Sequence, residues 1–254
     1  MPAKIKFEKC DDVVHVTLSY PKRFNAMSRA MWRDLTTVFE RIQDMTEVRC
    51  VLISGEGTHF CAGGDISEYT GFRFHEASLR EFHEVDVWRA LSAMLACDVP
   101  MVAQIAGNCM GAGVEIASCC DIRLAAESAR FGAPIARLGF PMAPREAALV
   151  ARETGLTTAR QMLLEAAIFS APDMLQRGFL SRVVADADVS AVAQATVQRI
   201  RQLAPQAARL NKQTFRAVLH DQIPSLLVTA YDYADSIEQR EGISAFLEKR
   251  QHGF

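Results

Sequence analysis

A chain of 254 residues with 50% hydrophobic composition can bury a sizeable core without disulfide or metal staples, as one α/β domain or as a domain with a helical appendage. Lys and Arg (28) nearly balance Asp and Glu (30), giving a formal net charge of −2, which argues against a nucleic-acid footprint or a polybasic membrane patch. Seven scattered cysteines, Cys10, Cys50, Cys61, Cys97, Cys109, Cys119 and Cys120, form no CxxC pair and read as reduced, mostly buried thiols of a reducing compartment.

Met1 to Asp12 alternates charged and apolar residues and lacks the h-region of a signal peptide and the Arg/Ser-rich character of a transit peptide, so the expected location is cytoplasmic. The longest apolar stretches are interrupted by Gly107, Gly111, Gly113 and Glu115, and no membrane span is expected. Val13 to Ser19 reads as a β-branched strand ending before Pro21. Ser28 can cap a helix running to about Asp44, with Met31, Leu35, Val38, Phe39 and Ile42 on one face. Cys50 to Ser54 is a short buried strand closed by Gly55. A helix is expected over about Glu76 to Ala96, then a strand at Met101 to Ile105, a small-residue helix at Gly111 to Cys120 and a strand at Ile122 to Ala125. Phe131 to Pro134 is a strand or turn. Beyond about Pro144 the chain is mainly helical, with one more strand at Leu180 to Val184 and helices from about Ser190 broken near Pro205 and Pro224. The alternation gives an α/β class without choosing a topology, and no internal repeat is visible.

Common cofactor motifs are missing. There is no GxxxxGK[ST] loop and no GxSxG elbow; Gly55-Glu56-Gly57 has Phe60 in place of the third dinucleotide-site glycine; His83-Glu84 has Val87 in place of a second zinc-binding histidine. Chemistry that needs no cofactor and no metal is therefore expected.

Two glycine-rich segments each follow an apolar strand: Phe60-Cys61-Ala62-Gly63-Gly64-Asp65-Ile66, and Ala106-Gly107-Asn108-Cys109-Met110-Gly111-Ala112-Gly113-Val114-Glu115. Either can turn its backbone so that a free N–H faces a cleft, and the second does so at a helix start, where unpaired amides favour negative charge. Each alone is equally explained by tight packing. Together, and with Ala103, Ser118, Cys120, Asp121 and Ile122, with Pro21, Asn25-Ala26-Met27 and Phe131-Gly132, and with the tail from Arg240 to Arg250, they resemble the pattern of the enoyl-CoA hydratase/isomerase (crotonase) family over nearly the whole chain.

That resemblance implies an α/β fold in which strand–strand–helix units repeat as a spiral, here residues 1–200 with the acyl-CoA site. A helical region, 201–254, would drive homotrimers that often pair as hexamers. The substrate would be an acyl-CoA thioester, with coenzyme A part of the substrate rather than a separate cofactor, and neither nucleic acid nor membrane as partner. By position, the thioester oxygen would sit between the N–H groups of Gly64 and Ala112, with Glu115 as acid/base. One fixed donor of that kind contributes about 3–4 kcal/mol to a transition state in which charge reaches that oxygen. The resemblance also implies that the CoA portion lies along Lys22 and Arg23 and along Ala62, Asp65 and Ile66, with Phe246 and Lys249 completing a neighbouring subunit's adenine pocket; Lys22 and Arg23 read equally as a solvated turn.

The chain departs from the hydratase pattern in one place that matters. A second glutamate belongs where Ile135 stands, and Ile135 cannot move a proton. The stretch Leu138 to Glu146 also lacks the glycine-rich loop usual in hydratases. Glu146, His83 and Glu84 are the side chains left to take over, each reading first as surface or structural, and Arg137 and Arg145 are candidates to meet an acyl carboxylate. Enoyl-CoA hydration is the leading expectation. Isomerisation, thioester hydrolysis or decarboxylation are alternatives, as is an acyl-CoA- or RNA-binding relative without turnover. Arg29, Arg33 and Arg41 alternate with Asp34, Glu40 and Asp44 on their helix, as on an ordinary solvated face.

Overall fold

Apolar runs that are buried on both faces must lie in the middle of a sheet, and here they do. The computed structural model describes residues 3–254. Strands β1 (Lys4–Cys10) and β2 (Val13–Ser19) make an antiparallel hairpin. Helix α1 (Arg29–Asp44) follows, its N-terminus capped by Ser28, whose hydroxyl accepts from the Met31 N–H. Then come β3 (Cys50–Gly55), α2 (Glu76–Glu81), a π-helical turn at Phe82–Val87, and α3 (Trp88–Ala96). Next are β4 (Met101–Ile105), β5 (Asn108–Met110), α4 (Ala112–Ser118), β6 (Ile122–Ala126) and β7 (Arg130–Gly132). The chain continues through α5 (Pro144–Thr154), α6 (Leu156–Leu164), β8 (Ile168–Ser170), α7 (Ala171–Gln176) and β9 (Arg182–Val184). It ends with α8 (Val189–Arg201), α9 (Pro205–Leu219), α10 (Ile223–Leu226) and α11 (Ile237–Glu248).

Six strands form one sheet in the order β1-β2-β3-β4-β6-β9, parallel from β2 onward, and β5-β7-β8 form a second. The chain alternates between them. Two strands of the first sheet run into a short strand of the second and then on to a helix: β4 to β5 to α4, and β6 to β7 to α5. Single bridges at Met27–Gly64 and Cys61–Cys109 extend the second layer back to the first two turns. The structure thus contains a repeat of strand–strand–helix units that is invisible as a repeat of letters. One face of the large sheet packs in the main core with α1, α3 and α4. The other is covered by α8, whose Ala193, Val197 and Ile200 meet Val13, Leu52, Val102 and Leu124.

The expected elements recur with small shifts of boundary. Three strands were not anticipated. β1 is an edge strand rich in lysine and glutamate, a composition that protects an edge from pairing but hides its alternation. β5 and β8 have only three residues each, too few for a period to register. Six of the seven cysteines are buried, Cys10 is exposed, and all are free thiols.

Asp98, between α3 and β4, ties the tail to the body. It accepts from Arg216 (2.7 Å) and Gln213 (2.8 Å) of α9 and from Gln43 (3.1 Å) of α1. Burial works against its charge, but these three donors outweigh it and hold the carboxyl below its ordinary value. Lys212 and Arg209 of α9 add bonds to the carbonyls of Val99, Met45 and Val48. We expect Asp98→Ala to lower unfolding free energy by about 2 kcal/mol, since charge-assisted donors on α1 and α9 lose their acceptor. Urea denaturation followed by circular dichroism measures this, and an unchanged midpoint would refute it.

Candidate active site

The two glycine turns meet at the inner end of the second sheet. The Cys61 N–H donates to the Asn108 carbonyl (2.9 Å), and the Met110 N–H donates to the Cys61 carbonyl (2.9 Å). Gly111 has φ +46°, a conformation that side chains resist, and a Cβ at Gly113 would come within 2.8 Å of the Cys61 carbonyl oxygen. The small residues of α4 therefore let its start press directly against the first turn. Around that contact the amides are engaged: Gly63 N–H on the Cys61 sulfur, Asp65 N–H on the Met27 carbonyl, Gly111 N–H on the Gly132 carbonyl. Among the described residues, the N–H groups of Gly64 and Ala112 donate no hydrogen bond, and both residues line one cavity.

That cavity has a volume of about 320 Å³ and is mainly apolar, with Trp32, Phe82, Ile135, Leu138, Phe140 and Met142 among its walls. Its polar side chains are few: Tyr69, Arg73, His83, Glu115, Arg137 and Glu146. A convergence of a few polar groups in a small apolar pocket is the form expected of a reaction site.

Glu115 stands in the first turn of α4, buried, with a carboxyl that hydrogen-bonds to no described residue. Burial, reinforced by the nearby Glu146 carboxyl, pushes its pKa well above the ordinary value. Glu146 lies in the first turn of α5 after Pro144 and is 4% exposed. Burial pushes its carboxyl up to about 8, against the pull of the Arg73 guanidinium. Its Oε1 is 2.8 Å from Nδ1 of His83, which the π-helical turn turns inward. Burial lowers the His83 pKa to about 4, so the imidazole is neutral near pH 7 and can either donate to an ionised Glu146 or accept from a protonated one. Two carboxyl groups thus share one cavity in which burial resists charging both.

Of the other residues singled out in the sequence, Ala62 and Ile66 line the cavity and Ile135 forms part of its wall. Asp65 does not line it; its carboxylate accepts from Ser67 (2.7 Å) and faces Arg23 (3.4 Å), capping the turn at Ile66–Gly71. Lys22 and Arg23 lie in an exposed turn, and Phe246 and Lys249 stand at the end of α11, away from the cavity lining. Arg137 lines the cavity and donates to the Ala166 carbonyl (3.3 Å). Arg145 and Glu84 are outside it, 3.4 Å from each other. The reading of Glu146 and His83 as surface groups is corrected: both line the cavity. A signal for Glu146 existed, because it shares a helical stripe with Leu149 and Val150, both buried. Tyr69 and Arg73 carried no comparable signal, being on an irregular segment. Arg29 and Arg33 both bind the buried Asp86 carboxylate (2.6 and 2.7 Å), so two of the three cations of α1 face an internal partner.

A strand–strand–helix spiral holding such a cavity defines a crotonase-type fold. A sequence profile described as enoyl-CoA hydratase/isomerase matches residues 8–254. A short-chain-enoyl-CoA hydratase from Clostridium acetobutylicum is 30% identical, across 96% of this chain and 94% of that protein. The human mitochondrial enoyl-CoA hydratase domain-containing protein 3 is also 30% identical, across 98% and 83%. The crystal structure of an enoyl-CoA hydratase/carnithine racemase from Magnetospirillum magneticum superimposes with a TM-score of 0.94 at 35% identity, covering 100% of this chain and 96% of that one. The chain belongs to the enoyl-CoA hydratase/isomerase family.

The raised Glu146 pKa carries a sign. An unfolded glutamate titrates near 4.5 and the folded one near 8, so the folded state keeps a proton that the unfolded state has lost between those values. Its contribution is complete below about 4.5 and is lost as pH rises through 8. His83 runs the other way: held near 4 instead of 6.5, it adds stability as pH rises from 4 to 6.5 and nothing further above that. From pH 6.5 to 8 only the glutamate effect remains of the two. We expect the stability of the wild type relative to Glu146→Gln to fall by about 1–2 kcal/mol over that interval. Urea melts at the two pH values test this, and a constant difference would mean that Glu146 is already ionised in the fold.

Proposed function

We propose that this protein is an enoyl-CoA hydratase in which Glu146, not a residue at position 135, completes the carboxyl pair with Glu115. The observation that carries this reading is that α5 delivers a second buried carboxyl to the cavity that already holds Glu115. The thioester oxygen would accept from the free N–H groups of Gly64 and Ala112, which would stabilise the negative charge it gains when water adds at Cβ.

The environments suggest how the roles divide. Glu146 has an attractive cation, Arg73, and a neutral imidazole able to donate to it; Glu115 has burial and a like carboxyl. Glu146 is therefore the carboxyl that gives up its proton first as pH rises, and in its ionised form it serves as the base that takes a proton from the attacking water. Glu115 stays protonated and delivers a proton to Cα of the enolate. The two then exchange states and must be reset by solvent or through His83, whose hydrogen bond also fixes the Glu146 rotamer. His83 is a positioning residue in this scheme.

The exposed apolar side chains of the tail, including Phe215, Val218, Val228, Ile237 and Phe246, support a second proposal, that residues 201–254 mediate assembly as a trimer or hexamer. Residues 1–200 would then be the spiral core. In that assembly Phe246 and Lys249 would approach the CoA moiety in a neighbouring subunit, and Lys22 and Arg23 would contact its phosphates.

Glu115→Gln and Glu146→Gln should each lower hydration of short 2-enoyl-CoA thioesters by about 10²–10⁴ in kcat, with smaller changes in KM. Mass spectrometry of the product reads a gain of one water for hydration (about 18 Da) and no change for isomerisation. Normal turnover by Glu146→Gln would remove Glu146 from the reaction.

A further inference from the structure

Arg73 is the feature that hydration leaves unexplained. Its guanidinium stacks over Phe140 (3.8 Å to the ring centre) and over Tyr69 (4.4 Å), and it lines the cavity. Its Nε is buried without a hydrogen-bond partner, and no carboxylate among the described residues forms an ion pair with it. Other arginines are engaged: Arg29 on Asp86, and Arg137, which also lines the cavity, on the Ala166 carbonyl. Burial lowers the pKa of Arg73, yet an arginine stays protonated, so the cavity holds a half-buried cation whose Nε donor is unused.

The position of this cation fixes what it can meet. Tyr69 bridges the interval: a Cβ on Gly64 would collide with the Tyr69 hydroxyl, while the face of the same ring carries Arg73. Tyr69 thus touches both Gly64 and the guanidinium, in a cavity whose other apolar walls include Phe82, Phe140 and Met142. A hydrocarbon chain ending there would leave the guanidinium desolvated and unpaired. An anion would satisfy it in a bidentate pair strengthened by the low-dielectric surroundings. Glu146, the nearest carboxyl, is instead bonded to His83.

From this we propose that the acyl group of the substrate is short and ends in a carboxylate, which Arg73 binds between Tyr69 and Phe140. The substrate class is then the mono-CoA thioester of a short unsaturated dicarboxylic acid. The inference rests on the thioester sitting at Gly64 and Ala112, as proposed above, but not on hydration itself.

Saturated ligands test it without any turnover. Glutaryl-CoA and valeryl-CoA have the same chain length and differ by the terminal carboxylate. Isothermal titration of the wild-type protein should give at least tenfold tighter binding of glutaryl-CoA, and Arg73→Gln should abolish that difference. Equal affinities in the wild type would overturn the proposal, as would a difference that survives in Arg73→Gln. The wild-type comparison stands even if the variant does not fold. Parallel assays with crotonyl-CoA and glutaconyl-CoA separate the two readings. Tighter glutaryl-CoA binding with neither ester hydrated would keep the carboxylate site and reject hydration. Hydration of both with equal kcat/KM and no difference in binding would keep hydration and reject the site.

Discussion

The close contact between the Cys61 turn and the start of α4 governs everything around the cavity. Two backbone hydrogen bonds of 2.9 Å join Cys61 to Asn108 and Met110, and the approach of Gly113 to the Cys61 carbonyl leaves no room for a methyl group. That contact sets the separation of Gly64 and Ala112 and aims the first turn of α4, with Glu115, into the cavity. It is a constraint on main chain rather than on side chains. Such a constraint depends on the small residues rather than on the larger side chains around them.

Against that backbone, the carboxyls that reach the cavity come from more than one element. A carboxyl needs to reach a point in the cavity, and more than one element borders that point. Ile135 sits in the wall where a family glutamate is expected, and α5 brings Glu146 in from a few residues further along. Moving the carboxyl also changes its surroundings. In the first turn of α5 it gains the His83 imidazole, and with it a partner that can hold either protonation state.

The glycine turns, the small-residue helix and Glu115 were legible in the sequence because each is a local pattern whose meaning does not depend on distant residues. The order of strands and helices was legible for the same reason, apart from a charged edge strand and the two three-residue strands β5 and β8. The spiral itself was not, since its repeat consists of hydrogen-bonded layers and leaves no recurrent letters. Glu146, His83 and Arg73 were obscured by tertiary context. Each is a charged or polar residue in a segment with other charged residues, and only packing of the π-helical turn, α5 and the Phe140 loop around one cavity shows that these three face inward. The helical stripe shared by Glu146, Leu149 and Val150 was the one available clue.

The π-helical turn between α2 and α3 has a consequence for how this lineage can change length. One extra residue is accommodated there without breaking the helix, and deleting it would restore an ordinary α-helix. Each residue of an α-helix turns the chain by about 100°, so the deletion would swing α2 and its flanking segment around relative to α3. His83 would leave Glu146, while Asp86, which anchors Arg29 and Arg33 of α1, would be drawn off its partners. A single codon lost at this point would therefore disturb the cavity and the α1 packing together.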